Sequence, residues 1–172
     1  MQHNIKKSAM NSGLIMGALF SVNFLLSITK NTVFISLSYA MVAVIIVTLY
    51  RLSIRVRDVE LEGSISYGKA FWFILLTFFY AALISTVIKY IYFQFINPGY
   101  LEAMFQDTMK AMQMMKYPMN DATIGQMETM LKPVNFSLVY IWVNLLLGII
   151  VGSIMAAFVK KEKSIFEDKQ EN

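Results

Sequence analysis

Lys89 is the residue whose type and position most directly predict chemistry. It is the only charged residue inside one of the long apolar runs of this 172-residue chain. A charge within a membrane segment is costly and is by default a functional candidate. Its long side chain could also snorkel to the membrane surface, because Tyr90 and Tyr92 beside it mark an interfacial depth. The sequence predicts either a snorkelling lysine, the preferred interpretation, or a site for an anionic headgroup or ligand.

Two asparagines, Asn23 and Asn144, also lie within apolar runs, at similar predicted depth. Asn144 continues the helical face of Gly148, whereas Asn23 is rotated away from the face of Gly17. Buried amides in membrane helices usually hold helices together, for about 1 kcal/mol each. We expect such a packing role, and a direct pair between the two amides is an alternative.

Methionines are concentrated in residues 97–133, which hold eight of the 13 in the chain. Met109, Met112 and Met115 recur every three residues, and thioethers are soft ligands that suit Cu(I). Methionine more commonly fills adaptable apolar faces against lipid or a partner. The only histidine, His3, lies on the opposite side of the predicted membrane. We therefore predict no metal site.

Motifs for catalysis are absent from the sequence. The chain has no cysteine, no zinc-type HExxH, no phosphate-binding glycine loop, no haem ligand pair and no serine with a plausible His and Asp. All 11 acidic residues lie outside the apolar runs, so no buried carboxylate is available for ion coupling. We expect no cofactor and no enzymatic activity.

Four long apolar runs determine the predicted fold class. Hydrophobic residues make up 57% of the chain and charged residues only 15%, far from the balance of a soluble domain. The runs cover residues 9–29, 32–50, 70–96 and 134–159, and about 20 apolar residues suffice to span a bilayer. They are apolar on all sides, unlike the helices of a soluble bundle. The sequence predicts a single all-α domain over residues 1–172, an integral membrane four-helix bundle.

Basic residues predict the orientation of this bundle. One side carries ten Lys and Arg residues and the other carries four. The ten include Arg51, Arg55, Arg57, Lys160 and Lys161. The positive-inside rule then places both termini, the connector between the second and third runs, and the tail 160–172 in the cytoplasm. We predict a multi-pass protein of the inner membrane, whose net charge of +4 reflects topology and not nucleic-acid binding.

Residues 97–133 form the predicted outer loop, with two short amphipathic helices. Asn97 and Pro98 are favoured residues for an N-cap and a first helical position. A second helix could begin at Asp121 or Thr123. The apolar face of the first helix is predicted to consist of Leu101, Met104, Phe105, Thr108, Met112 and Met115. Such helices lie along the membrane surface or cap the bundle.

Small residues recur every four positions in the first and fourth runs. The first ridge is Ala9, Gly13, Gly17 and Ser21, and the second is Gly148, Gly152 and Ala156. Small residues at this spacing allow helix backbones to approach closely. We predict that the two ridges pack against each other or that one forms a homodimer contact. The alternative is that glycine is simply tolerated there.

Two segments carry a family resemblance. The stretch YRLSIRVRDVELEGSISYGKAF at residues 50–71 and FINPGYLE at residues 95–102 resemble a bacterial membrane family filed as domain of unknown function forty-one ninety-nine. The resemblance implies a four-span layout over the whole chain and no known activity or catalytic residue. Members are often encoded near membrane glycosyltransferases, which implies such an enzyme as a partner.

Two functional hypotheses follow. The first is a non-catalytic membrane subunit that packs against a partner protein, or another copy of itself, through its small-residue ridges or its methionine-rich loop. The second is a transport or lipid-handling component with an anion or headgroup site at Lys89 and the outer loop. The lipid bilayer is a partner in both.

Overall fold

The chain folds into six α-helices, in a computed structural model that describes residues 5–29, 31–117 and 120–162. The helices are α1 (Ile5–Ser27), α2 (Thr32–Arg55), α3 (Tyr67–Ile91), α4 (Gly99–Met114), α5 (Asp121–Met130) and α6 (Pro133–Val159). The described residues contain no β-strand beyond a single isolated bridge. The predicted all-α class is confirmed. His3 and the tail from residue 163 lie outside the described residues.

Four of these helices are long and apolar enough to cross a membrane. α2 and α3 are each lengthened by a π-helical turn, at Val56–Glu60 and Tyr92–Ile96, so their continuous helical segments reach 29 and 30 residues. At 1.5 Å per residue, 30 residues are longer than a hydrocarbon core of about 30 Å requires. The four predicted spanning helices are confirmed by length and composition.

The second helix continues beyond the apolar run that predicts it. The run ends at residue 50, whereas α2 continues to Arg55 and its π-helical extension to Glu60. Leu49, Ser53 and Val56 recur every three or four residues and are buried, while Arg51 and Arg55 on the other side are exposed. The helix continues because its buried stripe continues, although the apolar run has ended.

The chain divides into two compact units. One contains Met1–Ser85 and Val143–Asn172, and the other contains Thr86–Trp142. We call them the helical unit and the loop-proximal unit. α3 and α6 each contribute to both units. The sequence-based assignment of one domain stays a prediction.

In the helical unit, α3 is the helix that the others cover. Buried residues make up 44% of the apolar window of the third span but only 11% of that of the second. Phe73, Ile74 and Ala81 of α3 are fully buried and join Met16 of α1 and Ala156 of α6 in one core cluster. α1 and α2 also pack against each other.

In the loop-proximal unit, aromatic rings form the packed centre. Phe93 is 1% exposed, and its ring centroid lies 5.6 Å from that of Tyr100 and 5.3 Å from that of Phe136. Phe136 in turn contacts Tyr140 at 5.6 Å. The two pairs that involve Phe136 are edge-to-face, and such pairs stabilise beyond their buried area by about 0.5–1.5 kcal/mol each.

The two short helices form as predicted, but one cap differs. α5 begins at Asp121 with Asn120 as its N-cap, whose Oδ1 accepts from the backbone N–H of Thr123 at 2.7 Å. α4 begins at Gly99 with Pro98 in the cap position and no side-chain cap. The predicted N-cap role of Asn97 is wrong, because its amide donates to the Tyr92 hydroxyl at 3.3 Å and the residue ends the preceding π-helical turn.

Candidate functional site

Lys89 is buried in the loop-proximal unit. Only 4% of the residue is exposed, and it lies in the last turns of α3. A snorkelling lysine would extend its ammonium group to the surface, and such a side chain would be largely exposed. The preferred interpretation, a snorkelling lysine, is therefore wrong. The alternative, a site for an anionic headgroup or ligand, stays a prediction.

The ammonium group of Lys89 lies over the aromatic ring of Tyr140. Its Nζ is 4.6 Å from the ring centroid, within the range of cation–π attraction, which is worth about 2 kcal/mol when desolvated. Phe93 and Phe136 make the next contact, four residues further along the chain in the π-helical extension of α3 and four residues earlier on α6. α3 and α6 are therefore antiparallel in this unit, and the lysine is held at a fixed register.

Two buried hydroxyl groups lie one helical turn from this contact. Thr86 precedes Lys89 by three residues on α3, and Ser137 precedes Tyr140 by three residues on α6. Residues three apart share one face of a helix. Thr86 is 7% exposed and Ser137 is 1% exposed, and neither hydroxyl oxygen has a hydrogen-bond partner in the described structure. A buried polar group without a hydrogen bond costs free energy. We call Thr86, Lys89, Ser137 and Tyr140 the lysine cluster.

Sequence reasoning identified Lys89 but missed the other three members of the lysine cluster. Thr86 carried a usable signal, since a hydroxyl three residues from a membrane lysine shares its face. Ser137 and Tyr140 carried none, because only the register between α3 and α6 brings them to the lysine. Aromatic residues and serines are too common in apolar helices to be singled out.

The two asparagines lie in the helical unit. Asn144 is buried, at 9% exposure, as its place on the face of Gly148 predicts. Asn23 is partly buried, and its Oδ1 atom is buried without a hydrogen-bond partner among the described residues. Asn23 Oδ1 therefore does not accept a hydrogen bond from Asn144. The predicted role of both amides in helix packing stays a prediction.

The glycine ridges both face α3. A Cβ atom at Gly17 would lie 2.8 Å from the Cβ of Ile84, and one at Gly148 would lie 2.9 Å from the Cβ of Phe78. Gly13 faces Tyr80 in the same way, and Gly152 faces Phe71. The expectation that the ridges pack against each other is wrong, because α3 occupies both. Bulky side chains of α3 enter the grooves that the glycines leave open.

The remaining ridge residues are buried beside the glycines. Ala9 and Ala156 are completely buried, and Ser21 is 8% exposed. The Ser21 hydroxyl donates to the carbonyl oxygen of Gly17 at 2.7 Å. A serine that satisfies its hydroxyl on its own helix behaves as a small residue toward the neighbouring helix.

The charged connector between α2 and α3 is tied to the end of α6. Ile65 and Lys161 form an antiparallel bridge with two backbone hydrogen bonds, of 2.8 and 3.0 Å. Arg57 donates to the carbonyl oxygen of Val159 at 3.2 Å and pairs with Asp58 at 2.7 Å. The Ser8 hydroxyl of α1 donates to the carboxylate of Glu60. The connector thus joins the start of α1 to the end of α6.

The residues predicted to set the orientation are divided between these contacts and the surface. Arg57 and Lys161 take part in the contacts just described, whereas Arg51, Arg55 and Lys160 are exposed. Arg57 is therefore both a topology residue and a packing residue. The prediction that the connector and both termini are cytoplasmic rests on the distribution of basic residues alone.

The methionine-rich segment has mixed exposure. Met109 and Met112 are partly buried, whereas Met115 is 71% exposed. Among the described residues, no group of three or more His, Cys, Asp or Glu residues is placed to hold a metal ion.

The fold and the lysine cluster define a class: an all-α protein with four helices suited to crossing a membrane and a lysine buried in the third. The chain belongs to the family described as Protein of unknown function (DUF4199), which it matches over residues 11–161. This match confirms the resemblance seen in residues 50–71 and 95–102. No curated protein and no solved structure matches the chain.

Proposed function

We propose that this protein is a non-catalytic component of the bacterial inner membrane that binds an anionic ligand at Lys89, in transport or in lipid handling. The observation that carries the proposal is the burial of Lys89 against Tyr140, at 4% exposure. Burying a cation among apolar helices is costly, and such residues mark ligand or ion sites by default. An anion offsets that cost by direct charge pairing.

The amino-acid types around Lys89 support an incoming anion. α3 and α6 contain no Asp or Glu along their whole lengths. Neither of these two helices therefore offers a carboxylate to Lys89. The aromatic ring of Tyr140 stabilises a cation through its quadrupole and leaves the net charge in place.

Lipid retention tests this proposal. The wild-type protein and the variants Lys89→Gln and Lys69→Gln would be purified in mild neutral detergent, and their bound lipids quantified by mass spectrometry. Lys69 is a matched control, because it is an exposed lysine on the same helix. We expect wild type and Lys69→Gln to retain anionic lipid, and Lys89→Gln to retain about tenfold less, since a hydrogen bond to a charged group is worth about 1.5–3 kcal/mol. Equal retention in all three proteins would contradict the proposal.

A second candidate function is that of an accessory subunit in a membrane complex. The observation that favours it is an apolar groove of about 440 Å³ on the surface of the helical unit. It is lined by Ile46, Val47, Tyr50, Val151, Ile154, Met155 and Phe158. A groove between two spanning helices fits a helix of a partner, such as a membrane glycosyltransferase, or of another copy of the chain.

Affinity purification with a groove-filling variant tests this second candidate. We expect a stoichiometric partner, or a dimer, with the wild type and its loss with Ile154→Trp. Val42→Trp is the control, because Val42 is exposed on α2 and lies outside the groove. A partner retained equally by both variants, or no partner with any of them, would exclude the groove as its binding site.

A further inference from the structure

The apolar groove between α2 and α6 ends beside basic residues. Val47 and Tyr50 line the groove on α2, and Phe158 lines it on α6. Arg51 directly follows Tyr50 and lies one helical turn beyond Val47. Lys160 directly follows the last residue of α6. Both basic side chains are exposed, so a groove with apolar walls has positive charge at one of its ends.

A hydrogen bond shows that α2 and α6 meet at this end of the groove. Arg57, in the π-helical extension of α2, donates to the carbonyl oxygen of Val159, the last residue of α6, at 3.2 Å. The charge of Arg57 itself is offset by its ion pair with Asp58 at 2.7 Å. Away from this end the lining helices carry no charge, because α2 has no charged residue before Arg51 and α6 has none along its length.

The apolar walls and the basic end match the two parts of an anionic phospholipid. The groove has a volume of about 440 Å³, within the ~300–1,000 Å³ that is typical of small-molecule sites. Its walls suit an acyl chain, and basic residues between helices on the cytoplasmic side of a membrane bind anionic headgroups. We propose that the groove holds an acyl chain of an anionic phospholipid, whose phosphate contacts Arg51 and Lys160 at the predicted cytoplasmic surface.

A helix of a partner protein matches this charge less well. The cytoplasmic ends of spanning helices carry an excess of Lys and Arg. A partner helix in the groove would bring such residues close to Arg51 and Lys160, and like charges repel each other. A phospholipid instead brings its phosphate to the same depth. The groove lies in the helical unit and Lys89 in the loop-proximal unit, so this lipid site is separate from the proposed anion site.

Tryptophan fluorescence in nanodiscs tests the lipid site in a bilayer. The chain has two tryptophans, Trp72 and Trp142, and both are exposed, so each can be replaced by phenylalanine. In that background, Phe158→Trp places a fluorophore in the wall of the groove. Val42→Trp is the matched reporter, because Val42 is exposed on α2 outside the groove. Quenching by brominated phosphatidylglycerol and by brominated phosphatidylcholine gives the relative binding of the two lipids at each reporter.

The expected result is a preference for the anionic lipid in the groove alone. The Phe158→Trp reporter should favour phosphatidylglycerol about fivefold, the effect of one basic residue near a membrane surface. The Val42→Trp reporter should show no preference. Arg51→Gln combined with Lys160→Gln should remove the preference in the groove, whereas Lys69→Gln, at an exposed lysine of α3, should not. Arg51 and Lys160 are exposed, so the double variant should fold like the wild type.

Three results would overturn the lipid assignment. The first is equal quenching by both lipids at Phe158→Trp. The second is a preference that survives the loss of Arg51 and Lys160, or one that Lys69→Gln also removes, since it would then reflect general surface charge. The third is protection of the reporter from both lipids together with a co-purifying protein, which would assign the groove to a partner helix. Lys89→Gln should leave the preference unchanged, so failure of this proposal is distinguishable from failure of the anion site.

Discussion

At the scale of single residues, the glycines on α1 make the sharpest prediction. A Cβ atom at Gly13 would overlap the Cβ of Tyr80, and both belong to helix backbones that cannot move independently. Overpacking of this kind typically costs about 1–3 kcal/mol. We expect Gly13→Ala to lower the free energy of unfolding by that amount, measured by equilibrium unfolding in mixed micelles of mild detergent and SDS.

Gly125 is the matched control for this substitution. It lies inside α5, and an added Cβ would meet nothing within 4 Å. Replacing an unconstrained helical glycine by alanine stabilises by about 0.5–1 kcal/mol. Gly125→Ala should therefore be neutral or stabilising. If both variants lost stability equally, close packing of α1 on α3 would not explain the effect at Gly13.

At the scale of elements, the connector between α2 and α3 depends on a backbone conformation that suits glycine. Gly63 has φ +81°, and its N–H donates to the carbonyl oxygen of Arg57 at 2.9 Å. Any L-amino acid that replaces glycine in this left-handed backbone region destabilises the fold by about 1–2 kcal/mol. We expect Gly63→Ala to lower the melting temperature in detergent and to speed proteolysis of the connector.

Gly68→Ala is the control that distinguishes this conformational effect from the general effect of replacing a glycine. It lies in the first turn of α3, and an added Cβ would have open space around it. Gly68→Ala should leave the melting temperature unchanged or raise it, by the helical propensity of alanine. A lower melting temperature for Gly68→Ala than for Gly63→Ala would show that φ at Gly63 is not the limiting feature.

At the scale of the whole molecule, the membrane orientation can be tested directly. The chain contains no cysteine, so a single introduced thiol is labelled without background. Ser66 in the connector and Ala122 in α5 are both exposed. Because basic residues favour the cytoplasmic side, we expect an impermeant maleimide to label Ala122→Cys in intact spheroplasts and Ser66→Cys only after lysis. The opposite labelling pattern would reverse the predicted topology.

The sequence predicted the helices well because each spanning run is apolar on all sides, which is a local property. Sequence reasoning failed to predict contacts that depend on how one helix is aligned along another. The glycine ridges were correctly seen as small-residue surfaces, but their neighbour, α3, has no small-residue pattern of its own. Lys89 was visible as a charge, whereas its burial and its partner Tyr140 depend on where α6 lies along α3.

The position of α3 has a consequence for biosynthesis. α1 and α2 leave the ribosome before α3. The grooves at Gly13 and Gly17 of α1 are therefore made before Tyr80 and Ile84, the α3 side chains that fill them. Until α3 is inserted, lipid or an insertion factor covers that surface. A chain that stops after α2 would leave this surface of α1 without its partner side chains, so we expect the isolated hairpin to be less stable than the same hairpin in the full chain.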